Sequence, residues 1–402
     1  MARHYYLTRS GRLRRKDNTL LFELSGEIVD EKPKIQEAET GNAETVDDGS
    51  EEVLSTIGQK IGADYLGKLF LESDTENLIE ACSLVTAGET ENDKPVRVRE
   101  KRVIPVEDVD AIWCFQELDL NAKVLNFLAS KKIPLHFFNY YGFYTGSFYP
   151  REYLQAGFLL VKQVRHYSSN LKRLRLAKEL IGAALHNILR NLRYYGTRGV
   201  DLLAETELVQ TEVLRLESVK QINELMACEG RARAAYYKAF EKIIKRDVEF
   251  KKRVRRPPDN MVNALISFTN GLVYSSVLTQ IYRSQLDPTI SFLHEPGFRR
   301  FSLALDLAEV FKPILADRLI FRLFNNRQLS EKHFAQDLNC CYLKDSGRKI
   351  VLKEWDARLQ TTIEHRRLKR KVSYERLIRL ECYKLVKHLT EVEEYKGFHA
   401  WW

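Results

Sequence analysis

The feature that most constrains this chain is a change in the period of its apolar residues near Leu160. From there to the C-terminus the spacing is three and four, as in Leu171 to Tyr195, Leu202 to Arg253, Asn260 to Gln285, Ser302 to Asn326 and Tyr374 to Glu394. Before it, strand-favouring stretches alternate with turn formers. Residues 4 to 23 carry Tyr5, Leu7, Leu13, Leu20 and Phe22 between the turn pairs Ser10-Gly11 and Asp17-Asn18. Strand character returns at Val103 to Val106, Ala111 to Phe115, Ile133 to Phe138 and Phe143 to Tyr149, with Asn121 placed to cap a short helix through Ser130. The expected fold is an α+β multidomain chain, a small N-terminal β-strand domain at 1–159 followed by a larger all-α domain at 160–402.

An acidic insertion at about 27–97 interrupts the β domain. It carries 18 acidic and 6 basic side chains, so the remainder of a chain of net charge +9 holds a net +21. Its ends, 27–52 and 88–95, have a disordered composition, and its middle, Val53 to Ala87, has enough Leu, Ile and Phe for short helices. The body is strongly cationic, as suits a partner with dense negative charge. Basic clusters fall at Arg165 to Lys178, Lys251 to Arg256 and His365 to Lys371, although most such residues on any protein merely face water.

Several function classes fail on inspection. Six scattered cysteines form no C-x-x-C pair, which argues against a zinc ribbon and a disulfide framework and for a reducing compartment. Adjacent Cys340-Cys341 reads as buried packing. The N-terminus lacks the apolar core of a signal peptide, and no apolar run reads as a bilayer span, so a soluble cytoplasmic protein with no membrane partner is expected. There is no phosphate-binding or nucleotide-binding glycine motif, no nucleophile elbow and no H-E-x-x-H.

What remains is a pattern of carboxylates and one imidazole. Asp306 and Glu309 stand three apart in a helical stretch with Leu303, Leu307, Val310, Phe311 and Ile314, so both project from neighbouring points of one helix surface. His294 comes from the turn before it, and Arg299 and Arg300 lie between. Asp306 by itself has Arg300 and Arg322 as ion-pair candidates. Glu229 is the only carboxylate on the apolar stripe Ile222, Leu225, Met226, Ala232, Tyr236 and Phe240. A buried anion needs compensation, by Arg233 four residues on or by a metal cation. Glu229, His294 and Glu309 together offer oxygen and imidazole ligands without a thiolate, a set that suits Mg²⁺ or Mn²⁺. Arg299 and Arg300, with Arg255 and Arg256, are candidates for holding a phosphate backbone. Tyr194, Tyr195, Tyr236, Tyr237 and Tyr274 are aromatic candidates for stacking on an unpaired base, with core packing as the alternative, and Trp401-Trp402 reads as docking on the helices.

The sequence resembles the CRISPR-associated endonuclease and integrase of spacer acquisition, the first of the Cas proteins. The matching segments are Tyr5 to Leu20, Pro105 to Val109, His136 to Gly142, Gly146 to Glu152, Glu229-Gly230, Arg255 to Pro258, Asn263 to Phe268, Leu286 to Pro288, Phe292 to Glu295, Leu303 to Glu309 and Tyr395 to Trp402. They span 1–26 and 98–402 and leave out the acidic insertion. The resemblance implies that Glu229, His294 and Glu309 are metal ligands and that Asp306 supports them in the catalytic set. It implies Mg²⁺ or Mn²⁺, double-stranded DNA as spacer precursor and as repeat array, a homodimer, and a small second adaptation protein of ferredoxin-like fold. A structure-selective nuclease for branched DNA and a noncatalytic DNA-binding scaffold are the alternatives.

Overall fold

The computed structural model describes residues 3–24 and 101–402, except 155, 246–249, 251, 256, 298–300 and 338–339. The acidic insertion, Arg256, Arg299 and Arg300 lie outside the described residues.

Two four-stranded sheets form the first part. One has the order β4 (Lys101–Pro105), β3 (Thr19–Leu24), β2 (Gly11–Lys16), β6 (Leu118–Asp119), with β2 to β4 antiparallel and β6 parallel to β2. The other runs β1 (Arg3–Leu7), β5 (Val109–Cys114), β7 (Leu135–Phe138), β8 (Tyr144–Phe148), parallel except for β8. The β2–β3 turn places Asp17 at φ 52°, a left-handed conformation that aspartate tolerates better than most residues. Gly11 lies so close to β3 that a Cβ would stand 2.5 Å from the Glu23 carbonyl oxygen. Helix α1 (Ala122–Ser130) starts where expected, with Asn121 Oδ1 accepting the Val124 N–H at 3.0 Å.

The helical part comprises α2 (Gly157–Ser168), α3 (Asn170–Gly196), α4 (Leu203–Arg215), α5 (Ile222–Ile243), α6 (Met261–Tyr282), α7 (Ser302–Lys312), α8 (Arg318–Asn325), α9 (Asp345–Gln360) and α10 (Tyr374–Leu389). The periodic stretch Leu202 to Arg253 holds two helices, α4 and α5, with a turn between Arg215 and Ile222, and α5 ends at Ile243. Periodicity alone bridges such a break when the apolar phase happens to continue across it. The region is also not purely helical: β9 (Phe334–Asp337) with β10 (Cys340–Leu343), and β11 (Thr362–His365) with β12 (Arg370–Ser373), form two antiparallel ribbons too short to show a period in sequence. Finally, α6 is the one helix among the described residues long and apolar enough to cross a membrane, but 78% of its apolar window is buried in the protein, as in a core helix.

Between α7 and α8 the helix widens to a π turn over Pro313–Asp317. Pro313 has no N–H to complete the i to i−4 pattern there. One face of the β5–β7 pair joins the helical core through Ala111, Trp113 and Phe138, while the other face closes a second cluster with Leu13, Leu20, Phe22 and helix α1. Trp113, fully buried on β5, donates Nε1–H to Ser275 Oγ of α6 at 2.8 Å. Arg348 of α9, also buried, donates to the carbonyls of Phe115 at 3.1 Å and Tyr140 at 2.9 Å. Residues 1–24 and 99–402 accordingly form one compact unit. Cys340 and Cys341 are buried, as are the other described cysteines, all of them free thiols. Trp401 and Trp402 dock on the helices: both pack against the core, and their carbonyls accept from Arg190 at 3.1 Å and Arg318 at 3.3 Å.

Candidate metal centre

Helix α7 carries Asp306 and Glu309 about one turn apart, as their spacing requires. Leu303, Leu307, Val310 and Phe311 are completely buried and fix the helix against α3 and α6. Burial of each such side chain contributes roughly 1.5–3 kcal/mol. The helix therefore cannot rotate its acids away from their neighbours without exposing these groups.

Asp306 is fully buried and its oxygens are committed. Oδ2 accepts the N–H groups of Phe292 at 2.7 Å and Leu293 at 2.9 Å, and Oδ1 accepts that of His294 at 3.0 Å. Oδ1 also lies 2.9 Å from His294 Nδ1. With the Nδ1 proton held by this carboxylate, Nε2 is left as the imidazole's lone pair, the arrangement found around metal-bound histidines. Arg322 does not serve as the ion-pair partner of Asp306 weighed from sequence. Arg322 pairs with Glu354 at 3.1 Å, and Arg300 is outside the described residues. Arg173 of α3 steadies the same turn, donating Nε–H to the Phe292 carbonyl at 2.9 Å and pairing with Glu295 at 2.6 Å.

Glu229 on α5 and Glu309 on α7 are joined through Arg233. Its Nε–H meets Glu229 Oε1 at 2.5 Å, and its second guanidinium nitrogen pairs with Glu309 Oε2. Lys312 adds a bond to Glu309 Oε1 at 2.5 Å. Burial works to raise the Glu309 pKa, but Arg233 and Lys312 overcome it and hold the carboxyl below its usual range. Arg233, buried itself, is in turn held well above its ordinary value by Glu309 and Glu229. Arg233 is thus a real partner of Glu229, and it pairs with both acids at once. The guanidinium occupies one oxygen of each glutamate, Glu229 Oε1 and Glu309 Oε2.

Beneath the pair lies Asp317, on the π turn, 2% exposed and with no hydrogen-bond partner for Oδ2. Burial pushes its carboxyl up to about 7, against the opposing pull of Arg233, the Tyr236 hydroxyl and Lys312. Sequence reading missed Lys312 and Asp317; the spacing of Lys312 three residues after Glu309 was the available signal for the first. Nothing in the sequence marks the second, since α5 reaches it only through the fold.

The donor set of two carboxylates and one open imidazole nitrogen fits a hard divalent cation, and Arg233 and Lys312 stand where positive charge is demanded. Among the described residues, a different trio has ligand atoms all within 4.8 Å of one another: His4, Asp110 and Glu375. Glu229, His294 and Glu309 do not reach that mutual spacing with Arg233 in place. Of the arginine candidates, Arg255 is exposed at the chain segment before α6. Tyr236 is fully buried and packs in the core, Tyr274 accepts the Phe301 N–H at 3.1 Å, and Tyr194 is 45% exposed with Arg198 over its ring.

Residues 87–357 match the family model of CRISPR associated protein Cas1. A CRISPR-associated endonuclease Cas1 from Fusobacterium nucleatum is 50% identical over 303 residues, covering 75% of this chain and 90% of the relative. The solved structure of a Cas1 protein from Thermotoga maritima superposes with a TM-score of 0.71 at 34% identity, over 99% of this chain and 100% of that one. A casposase bound to its integration product shares the fold at 17% identity and a TM-score of 0.71, over 99% and 93% of the two chains. With the family model matching most of the chain and half of the aligned residues shared with a curated relative, this protein belongs to the Cas1 family of CRISPR-associated proteins.

Proposed function

We propose that the chain is a divalent-metal-dependent DNA endonuclease and integrase, which inserts short foreign duplexes into a CRISPR repeat array. The observation that carries this reading is the meeting of Glu229 and Glu309 at the Arg233 guanidinium, with His294 near enough to act on Glu309 and its Nδ1 held by Asp306. Family membership supplies the reaction class.

Glu229, His294 and Glu309 would hold Mg²⁺ or Mn²⁺. When bound, such an ion supplies positive charge to the phosphate oxygens as negative charge builds in the transition state. Asp306 keeps the His294 proton on Nδ1, so the ring neither turns nor presents an N–H to the substrate side. Lys312 remains on Glu309 and keeps that carboxylate ionised. Integration joins an incoming DNA 3′-hydroxyl to the target phosphorus in line, while the target strand's own 3′-oxygen departs with a proton as a new hydroxyl. Water in place of the incoming hydroxyl gives endonuclease cleavage. The DNA duplexes, a second copy of this chain and the small adaptation protein of ferredoxin-like fold are the proposed partners, and the +21 of the residues outside the acidic insertion favours the first of these.

The test gives the purified chain a labelled duplex and a supercoiled repeat plasmid with Mn²⁺ or EDTA, with and without the small protein. Joined product is expected with Mn²⁺ only. His294→Ala and Glu229→Ala are expected to abolish it with DNA affinity nearly unchanged. Wild-type integration by either variant removes the assignment, and cleavage without joining in every condition favours the branched-DNA nuclease instead. Glu309→Ala is the less clean variant, because it strands the buried Arg233, a loss of about 3–5 kcal/mol for a broken buried pair.

A further inference from the structure

A second cluster of ligating side chains lies where the first strand meets the last helix, and the chemistry above makes no use of it. His4 is on β1, Asp110 on β5 and Glu375 in the first turn of α10. The strands pair in parallel with Arg3 opposite Val109 and His4 opposite Ala111, so Asp110 is the extra residue of a bulge. A bulge re-aims the side chain it carries. Here it turns Asp110 inward beside His4, and both side chains are buried, at 2% and 4% exposure, with Glu375 at 20%.

The distances are not those of a hydrogen-bonded ion cluster. His4 Nε2 stands 3.7 Å from Asp110 Oδ2 and 3.5 Å from Glu375 Oε1. A charge-assisted hydrogen bond closes to about 2.7–2.9 Å. Neither His4 Nε2 nor Asp110 Oδ2 has any hydrogen-bond partner, although both are buried. Of the other atoms around them, Asp110 Oδ1 pairs with Arg283 at 2.5 Å, whose Nε has no partner among the described residues, and Glu375 Oε1 accepts from Gln280 at 3.0 Å with Arg379 at 3.9 Å. Two orphaned ligand atoms therefore face one another and a third across gaps of 3.5 and 3.7 Å. A tetrahedral zinc site with bonds of about 2.0–2.1 Å separates its ligand atoms by about 3.3 Å, against about 2.9 Å for an octahedral one with the same bonds. The observed gaps lie nearer the tetrahedral value.

The surroundings match. His4 Nδ1 faces Asp356 Oδ1 at 3.6 Å and the Tyr6 hydroxyl at 3.5 Å, the outer contact expected behind a metal-bound imidazole. Asp110, Glu375 and Asp356 gather negative charge around His4, with Arg283 and Arg379 as the nearby cations.

We propose that His4 Nε2, Asp110 Oδ2 and Glu375 Oε1 bind a divalent transition-metal ion, with Zn²⁺ preferred, as a structural clamp between the β1–β5 pair and α10. The site is independent of Glu229, His294 and Glu309.

The test uses the full chain carrying Glu229→Ala, so that the reaction centre does not contribute. After stripping with EDTA it is titrated with Zn²⁺ by calorimetry and followed by thermal unfolding, with Co²⁺ as a spectroscopic probe. One Zn²⁺ per chain, a rise of several degrees in the unfolding midpoint and the intense visible bands of tetrahedral Co²⁺ are expected. Adding Glu375→Gln, at the partly exposed ligand, is expected to weaken binding at least tenfold, and His4→Gln to abolish it. Should His4→Gln fail to fold, Glu375→Gln decides. Absence of Zn²⁺ binding, or binding unaltered by Glu375→Gln, overturns the proposal and leaves a protonated histidine among carboxylates.

Discussion

Asp306 shows how one side chain can set the state of another. Its four contacts are all to donors, so Asp306→Asn puts an amide N–H against at least one of them. Integration is expected to fall about 10–100-fold, the usual cost of losing an outer partner of a metal ligand. Urea unfolding should register a loss of about 1–3 kcal/mol from the unsatisfied turn. Asp317 predicts a pH effect. Its folded-state pKa is raised to about 7, above the ordinary carboxylate value, so its favourable contribution is full in acid and is lost as pH rises through about 7. Asp317→Asn should therefore match wild type in urea unfolding near pH 4. At pH 8 it should be more stable by about 2 kcal/mol or more. Equal differences at both pH values would contradict a buried carboxyl that ionises late.

At the scale of elements, Asn187 of α3 ties α7 to the C-terminal segment. Its amide donates to the carbonyls of Val310 at 2.9 Å and Phe398 at 3.0 Å, while its oxygen accepts the Ala400 N–H at 2.8 Å. Asn187→Ala leaves three buried backbone groups short of a partner and should cost about 2–4 kcal/mol in denaturant unfolding. Activity measured well below the unfolding midpoint should fall less than for Asp306→Asn, since the His294 turn keeps its own bonds. The long helices α3, α6 and α10 were legible as apolar periods, and α1 from its Asn121 cap. The two ribbons were not, because four-residue strands carry too few alternations to distinguish from noise. The π turn was marked only by Pro313, which reads equally as a helix end.

For the molecule as a whole, the acidic insertion separates two strands that pair directly. β3 and β4 are antiparallel neighbours with Glu23 opposite Lys101, so a short turn suffices to connect them. Replacing residues 27–97 with such a turn is expected to leave the thermal unfolding of the rest unchanged. The charge removed is −12, so DNA binding by the trimmed chain should be tighter and its salt dependence steeper. Unchanged affinity and salt slope would show that the insertion does not shield the cationic surface.

The sequence by itself determined the order of segment types, the charge asymmetry, the family resemblance and the spacing that sets Asp306 and Glu309 on one helix surface. These are local or compositional properties, fixed by the period of side chains along the backbone. Only the tertiary structure decided that Arg233 spans Glu229 and Glu309, that Asp317 lies beneath them, and that His4, Asp110 and Glu375 converge. Such meetings arise when packing of apolar faces brings remote segments together and leaves their charged groups to find partners in a medium where an unpaired charge is costly.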